Sequence, residues 1–177
     1  MNNELQNIIS GKGATGPESI IHAAARYLTT SQNAGGKAEP NEFTKEQEAA
    51  QLITFIAAHE LWYTGILNNA NKIREGAEQK VFLQENGITV VKINDAVFYL
   101  SWIDYFHSLL LHNYYFPDTA YTLIGFYETA STLYAVVEQP FVQSDSLTNL
   151  ADVRMFMEAN GFRLKKNNDY YHFEKVR

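Results

Sequence analysis

The chain has 177 residues and a mass of 20.1 kDa, enough for one medium domain or a small domain with an appendage. Hydrophobic residues at 46% and aromatics at 14% mark a globular chain, and a net charge of −6 argues against a general electrostatic grip on nucleic acid or anionic lipid. The lack of cysteine excludes a disulfide framework, a thiolate zinc site and a cysteine nucleophile.

The longest unbroken apolar runs, Ala96–Leu100 and Leu133–Val137, fall far short of the roughly 20 residues that span a bilayer. The opening Met1-Asn2-Asn3-Glu4 lacks the charged-then-apolar order of a secretory signal, so a soluble, cytoplasmic protein without membrane contact is expected. Residues 1–45 hold 5 of the 10 glycines, whereas 11 of the 24 aromatics fall within residues 98–127. The first stretch therefore reads as an extension and the second as the middle of a core.

Pro17-Glu18-Ser19 opens a helix through about Thr29, with Ile20, Ile21, Ala24 and Tyr27 on one side. Residues 31–40 follow as a loop. Thr44 with Gln47 three residues later fits a capping box, and the helix it opens runs to about His59, presenting Ala49, Leu52, Ile53 and Ile56. Glu48 at the fourth helical position is polar, so no hydrophobic staple with Phe43 is expected. Residues 80–83 and 88–93 read as a β-hairpin, because Asn86-Gly87 supplies the positive φ angles of a tight turn.

Asn94 or Asp95 can cap a long helix from Ala96 to about Asn113, with Phe98, Trp102, Tyr105, Phe106 and Leu109 facing the core. Strands are predicted over 119–127 and 132–139, the second ended by Pro140. A helix over 150–159 stops at Asn160-Gly161, and a last hairpin pairs 162–165 with 170–173 across Lys166-Asn167-Asn168. The order strand, strand, long helix, strand, strand indicates an α+β fold, an antiparallel sheet with one long packed helix. Its predicted parts are a helical N-terminal extension over 1–60, the α+β domain over 61–143, and a C-terminal helix and hairpin over 144–177.

Most motifs fail on context. Gly11-Lys12-Gly13-Ala14-Thr15-Gly16 spells a phosphate-loop pattern, but no strand precedes it and Pro17 intervenes before the helix. His59-Glu60 opens like a zinc-protease motif, yet Tyr63 stands where the second histidine belongs. His107 and His112 are five apart on different faces of a predicted helix, so no metal site is expected. Ser101 and Ser108 lack the strand-to-turn setting of a nucleophile elbow. No Lys or Arg occurs between Lys92 and Arg154, so the aromatic stripe at 98–127 reads as core rather than a base-stacking platform, and no nucleic-acid partner is expected.

One constellation carries chemistry. Gly76 precedes the hairpin, Lys92 lies on its second strand, and Asp104 lies on the helix that follows. A strand lysine facing a helix carboxylate under a glycine-bearing loop is the arrangement that holds nucleotide phosphates in protein kinases. On its own the pattern is also that of a solvent-facing lysine beside an ordinary helix acid.

The order and spacing of several segments resemble the kinase-like domains of polyvalent proteins, multi-domain products of phages and conjugative elements. These segments are residues 75–83, 91–99, 102–106, 111–113, 116–121 and 134–141, with further likeness in Ser10-Gly11-Lys12-Gly13 and Asn160-Gly161-Phe162. The resemblance implies a protein-kinase small-lobe-like fold. It also implies that Gly76 belongs to the phosphate-covering loop, Lys92 binds phosphate with Asp104 as its helix partner, and Glu138 and Gln139 lie in the hinge that meets adenine. Two positions depart from the family: Ala77 replaces a second glycine, and Asp104 is one methylene shorter than the usual glutamate.

In the family the catalytic and metal-holding segments follow the point that matches residues 170–173, and here the chain ends at Arg177. The expectation is thus a truncated or degenerate kinase-like lobe that binds ATP or ADP weakly, with no assigned catalytic residue or metal. The alternative is an interaction module, seating a protein partner or forming a homodimer through the surface that would face the missing large lobe.

Overall fold

The computed structural model describes residues 2–12, 19–34, 44–143, 147–164 and 171–173. The chain divides into two compact units, Asn7–Val142 and a smaller one made of Met1–Gln6 with Gln143–Arg177.

A five-stranded antiparallel sheet forms the frame of the larger unit. Its strands are β1 (Lys72–Glu75), β2 (Lys80–Leu83), β3 (Thr89–Asn94), β4 (Thr122–Thr129) and β5 (Thr132–Pro140), in the spatial order β1-β2-β3-β5-β4. The β2–β3 turn forms where Asn86-Gly87 predicts it. Gly87 has φ 70°, and the Asn86 Oδ1 accepts from the amides of Ile88 at 2.9 Å and Thr89 at 3.0 Å, an Asx turn that fixes the register. Ala130 and Ser131, both at positive φ, form the two-residue turn between β4 and β5.

Helices α2 (Ile20–Ala34), α3 (Lys45–Ala58) and α4 (Trp102–Tyr115) share one core with the sheet. Ile21, Ala24, Ala25 and Leu28 of α2 are buried with Leu52, Phe55 and Ile56 of α3 and with Trp102, Tyr105, Phe106, Leu109 and Leu110 of α4. The opposite sheet face packs Phe82, Val91, Ile93 and Val136 against Tyr63, Leu67, Ile124, Tyr127 and Tyr134. Burying a large side chain of this kind stabilises by roughly 1.5–3 kcal/mol. The helices expected to form an extension therefore contribute to the same core as α4.

The capping box is present: the Gln47 amide donates to the Thr44 Oγ1 and the Thr44 amide to the Gln47 Oε1. The inward face of α3 is rotated from the predicted one, with Glu48 and Phe55 buried and Ile53 38% exposed.

α4 begins six residues later than predicted. The Asn94 Oδ1 takes the Ala96 amide at 2.7 Å and the Asp95 Oδ1 takes the Val97 amide, so the expected caps form turns instead. Ala96 sits at φ 58°, outside the helical region, and Ser101 becomes the N-cap, its Oγ accepting from the Asp104 amide. α2 likewise runs past Thr29 into the predicted loop, and residues 35–40 lie outside the described set, as do Pro17 and Glu18.

A helix not anticipated from the sequence, α1 (Asn2–Ser10), precedes them; Gly11 follows it at φ 68°, and residues 13–16 of the Gly11–Gly16 motif lie outside the described residues. Gly125 is the glycine that close packing requires. An added Cβ would stand 2.8 Å from the Leu61 carbonyl oxygen, where the Phe126 amide already bonds that same oxygen and the Tyr63 amide bonds the Phe126 carbonyl.

In the smaller unit, α5 (Leu150–Ala159) ends at Asn160 and Gly161, the latter at φ 82°, and β6 (Phe162–Leu164) pairs antiparallel with β7 (Tyr171–Phe173). Both features agree with the sequence reading. The expected turn at residues 166–168 lies outside the described residues.

Candidate functional site

Strand alternation decides where Lys92 points. Lys92 lies directly opposite Val137 on β5, and Val137 belongs to the core on the α4 side, so Lys92 faces α4 as well. The half-buried ammonium donates to the Tyr121 Oη at 3.3 Å and lies 5.1 Å from the centre of that ring. Tyr121 is itself clamped: its amide donates to the Asn113 Oδ1 at 2.7 Å and its carbonyl accepts from the Asn113 Nδ2 at 2.8 Å. Burial pulls the Lys92 pKa below its ordinary value; the Glu78 carboxylate pushes it back up and Arg74 adds to the lowering.

Beside it a cleft of about 300 Å³ opens between sheet and helix, lined by Glu78, Tyr99, Tyr105, Ser108, His112 and Tyr121 among others. Burial raises the pKa of all three tyrosines, Tyr99 to about 12, so they are phenols throughout the neutral range. The His112 Nε2 lies 3.0 Å from the Thr119 carbonyl, which places the proton on that nitrogen in the neutral ring. Burial lowers the His112 pKa, the Thr119 carbonyl opposes this, and Lys92 reinforces it.

The predicted residues do not all converge. Asp104 is exposed; its Oδ2 accepts from the Leu100 amide at 3.3 Å, closing the first turn of α4. No ion pair joins it to Lys92 among the described residues. Its charge acts instead on His107 and Glu48. The physical reason is the late start of α4, which places Asp104 at the third helical position, where a carboxylate serves the free amides. Glu78 of the β1–β2 turn is the carboxylate that acts on Lys92, and its Oε1 accepts from the Tyr99 hydroxyl at 2.9 Å.

Gly76 opens that turn, and its amide is taken by the Gln79 carbonyl at 3.0 Å, so the loop over the cleft is a tight hairpin turn with Ala77 and Glu78 at its tip. Glu138 lies opposite both Val91 of β3 and Thr122 of β4, with its Oε1 accepting from the Thr89 hydroxyl at 3.3 Å. Gln139 is buried and donates from its Nε2 to the Thr119 carbonyl at 2.6 Å.

Tyr121, Tyr99 and Glu78 were missed by reasoning on charge spacing, since two are neutral and the third lies on a turn. Glu48 was missed as well, although its place four residues before Leu52 on the apolar face was a usable signal. Among the described residues no group of three or more His, Asp or Glu is placed to hold a metal ion.

An antiparallel five-stranded sheet whose central strand turns a lysine toward a packed helix defines the class: an α+β fold of the protein-kinase small-lobe type, with helices added before it. The chain belongs to the serine/threonine/tyrosine kinase family found in polyvalent proteins, whose model matches residues 45–176. The resemblance carried by residues 75–141 is thereby borne out. No curated protein and no solved structure matches the chain. No helix among the described residues is long and apolar enough to cross a membrane.

Proposed function

We propose that the chain is the lysine-bearing lobe of a kinase-like domain, that it binds an adenine nucleotide weakly in the cleft between the sheet and α4, and that alone it does not transfer phosphate. The observation that carries this reading is the half-buried Lys92 ammonium, turned toward α4 with a neutral tyrosine as its hydrogen-bond partner. A cation desolvated in this way gains more from a phosphate than one in water does. The hinge role of Glu138 and Gln139 remains part of the proposal; there β5 runs past the end of β4, leaving Gln139 and Pro140 a strand partner on one side only.

The site is read as one of binding, since the acid lining the cleft, Glu78, is already engaged by Tyr99. A cytoplasmic location belongs to the same proposal. Calorimetric titration with ATP tests it: wild type should give a weak saturable heat that Lys92→Ala diminishes, and no heat up to millimolar ATP would contradict it.

A second reading, as an interaction module, is favoured by the loop before α4. Val97, Phe98 and Leu100 are 56%, 63% and 92% exposed, although Lys45 anchors the backbone that carries them. An anchored apolar loop facing water suits contact with a second copy or another protein. Light scattering should then show a dimer that Phe98→Ser with Leu100→Ser dissociates; a monomeric wild type would set the homodimer version aside.

A further inference from the structure

The cleft between sheet and α4 is lined by two buried polar side chains whose hydrogen-bonding groups the fold leaves unmet. Tyr105, 2% exposed, lines it from α4, and its hydroxyl has no hydrogen-bond partner among the described residues. Asn94, 3% exposed, lines it from the end of β3; its Oδ1 takes the Ala96 amide at 2.7 Å, but its Nδ2 has no partner among the same residues. No fully enclosed side-chain nitrogen or oxygen among them lacks a partner, so both atoms keep an open side, and the cleft they line is where it lies. Buried polar groups are nearly always paired within the protein, so two unmet ones on one cleft call for a partner from outside.

Neither group is free to turn away. The Tyr105 ring is wedged among Tyr99, Trp102 and Phe106, whose ring centres lie 5.1, 6.0 and 5.5 Å off. Asn94 is held by its bond to Ala96 and lies opposite Ala135 of the core, on the same face of β3 as Lys92. The amide nitrogen can only donate and the phenol has a proton to give, so together they fit an acceptor oxygen. Glu78, the acid of the lining, is no such acceptor for them, being engaged by the Tyr99 hydroxyl. Tyr121 also lines the cleft, and its oxygen accepts from the Lys92 ammonium, so the lysine's charge is coupled to this space through a phenol.

We propose that Asn94 and Tyr105 form a donor subsite for a phosphoryl oxygen of the nucleotide, with Lys92 acting on the same group through Tyr121. This rests on the reading of the cleft as a nucleotide site and deepens it, by naming the side chains that touch the phosphate. Donors already fixed in place lose little freedom on binding.

The test compares wild type, Tyr105→Phe, Asn94→Asp and Lys92→Ala, each titrated with ATP and with adenosine by NMR shifts, with urea unfolding measured without ligand. Tyr105→Phe should weaken ATP about tenfold and leave adenosine unchanged. Its urea midpoint should not fall, since the lost hydroxyl bonds nothing in the protein. Asn94→Asp keeps an acceptor for the Ala96 amide and replaces the donor with a negative oxygen, so it should weaken ATP further still. A fall in the midpoint of Tyr105→Phe would show that the hydroxyl serves the fold and overturn the subsite. Equal weakening of adenosine and ATP would assign these groups to base or ribose and overturn the phosphoryl contact. If ATP affinity is unmoved in both variants while Lys92→Ala loses it, the subsite is overturned and the nucleotide reading stands. If wild type does not bind ATP, the nucleotide reading is overturned and the subsite with it.

Discussion

Lys45 and Glu48, one turn apart on α3, hold opposite polarities of the same connection. The Lys45 ammonium donates to the carbonyls of Ala96, Val97 and Tyr99, and the Glu48 Oε2 accepts from the Trp102 amide at 2.5 Å, while its Oε1 accepts from the Gln32 Nε2. The free amides that begin a helix are thus met by a carboxylate from another helix, and the carbonyls just before it by a cation. With the Ser101 N-cap, the two side chains hold the start of α4, and with it the α4 residues that line the cleft.

Removing either grip should therefore loosen α4 from its start. Glu48→Leu leaves the Trp102 amide buried without an acceptor, at a cost of about 1–3 kcal/mol. Glu48→Gln keeps an acceptor and should cost much less. Lys45→Met should destabilise by a similar 1–3 kcal/mol or so, since three carbonyls lose their donor. Urea unfolding gives the stabilities. Amide exchange should place the loss of protection at residues 96–105; equal stability of Glu48→Leu and wild type would contradict the role.

The same core makes stability depend on pH in a known direction. His107 and His112 are both held below the usual 6.5 chiefly by burial, His107 against the pull of Asp104. As pH falls below 6.5, the unfolded chain takes up these protons first. The stability they contribute is thus intact above that value and lost as pH falls through the folded values. Glu48 works the other way: burial raises its pKa above 4.5, so the folded state takes up that proton first and gains stability as pH falls toward 4.5. Urea midpoints should fall as pH drops through the histidine range, less so in His107→Gln, and Glu48→Gln should lack the opposing gain at lower pH. An unchanged slope in His107→Gln would contradict the assignment.

What the sequence made legible is what local chemistry decides. The Asn86-Gly87 turn, the Thr44 capping box and the stop at Gly161 each depend on residues within a few positions, and each forms where it was read, although only Gly87 of the turn takes a positive φ and Asn86 acts through its side chain. Lys92 was singled out by its place between a glycine-bearing turn and a helix acid, but the face it takes follows only from the register, which sets it opposite Val137 of the core. The start of α4 was misread although its cap is local: Ser101, with Asp104 three residues on, begins the helix, Asn94 and Asp95 close turns of their own, and Lys45 and Glu48 hold that start from about 50 residues away. From that one displacement follows the rest: Asp104 serves the helix end, and the acid acting on Lys92 comes from the β1–β2 turn. Glu48 was hidden by its own type, since a charged residue reads as a surface position until the donors that meet it, the Trp102 amide and the Gln32 Nε2, are in view.

The most direct test of the central claim is site-resolved lysine acylation on the folded protein with and without ATP. Lys92 should be protected by ATP in a saturable way, while Lys72 and Lys80, paired with Glu75 at the sheet edge, should react at the same rate throughout. Acylation of Lys92 that millimolar ATP does not slow would contradict a nucleotide site at this lysine.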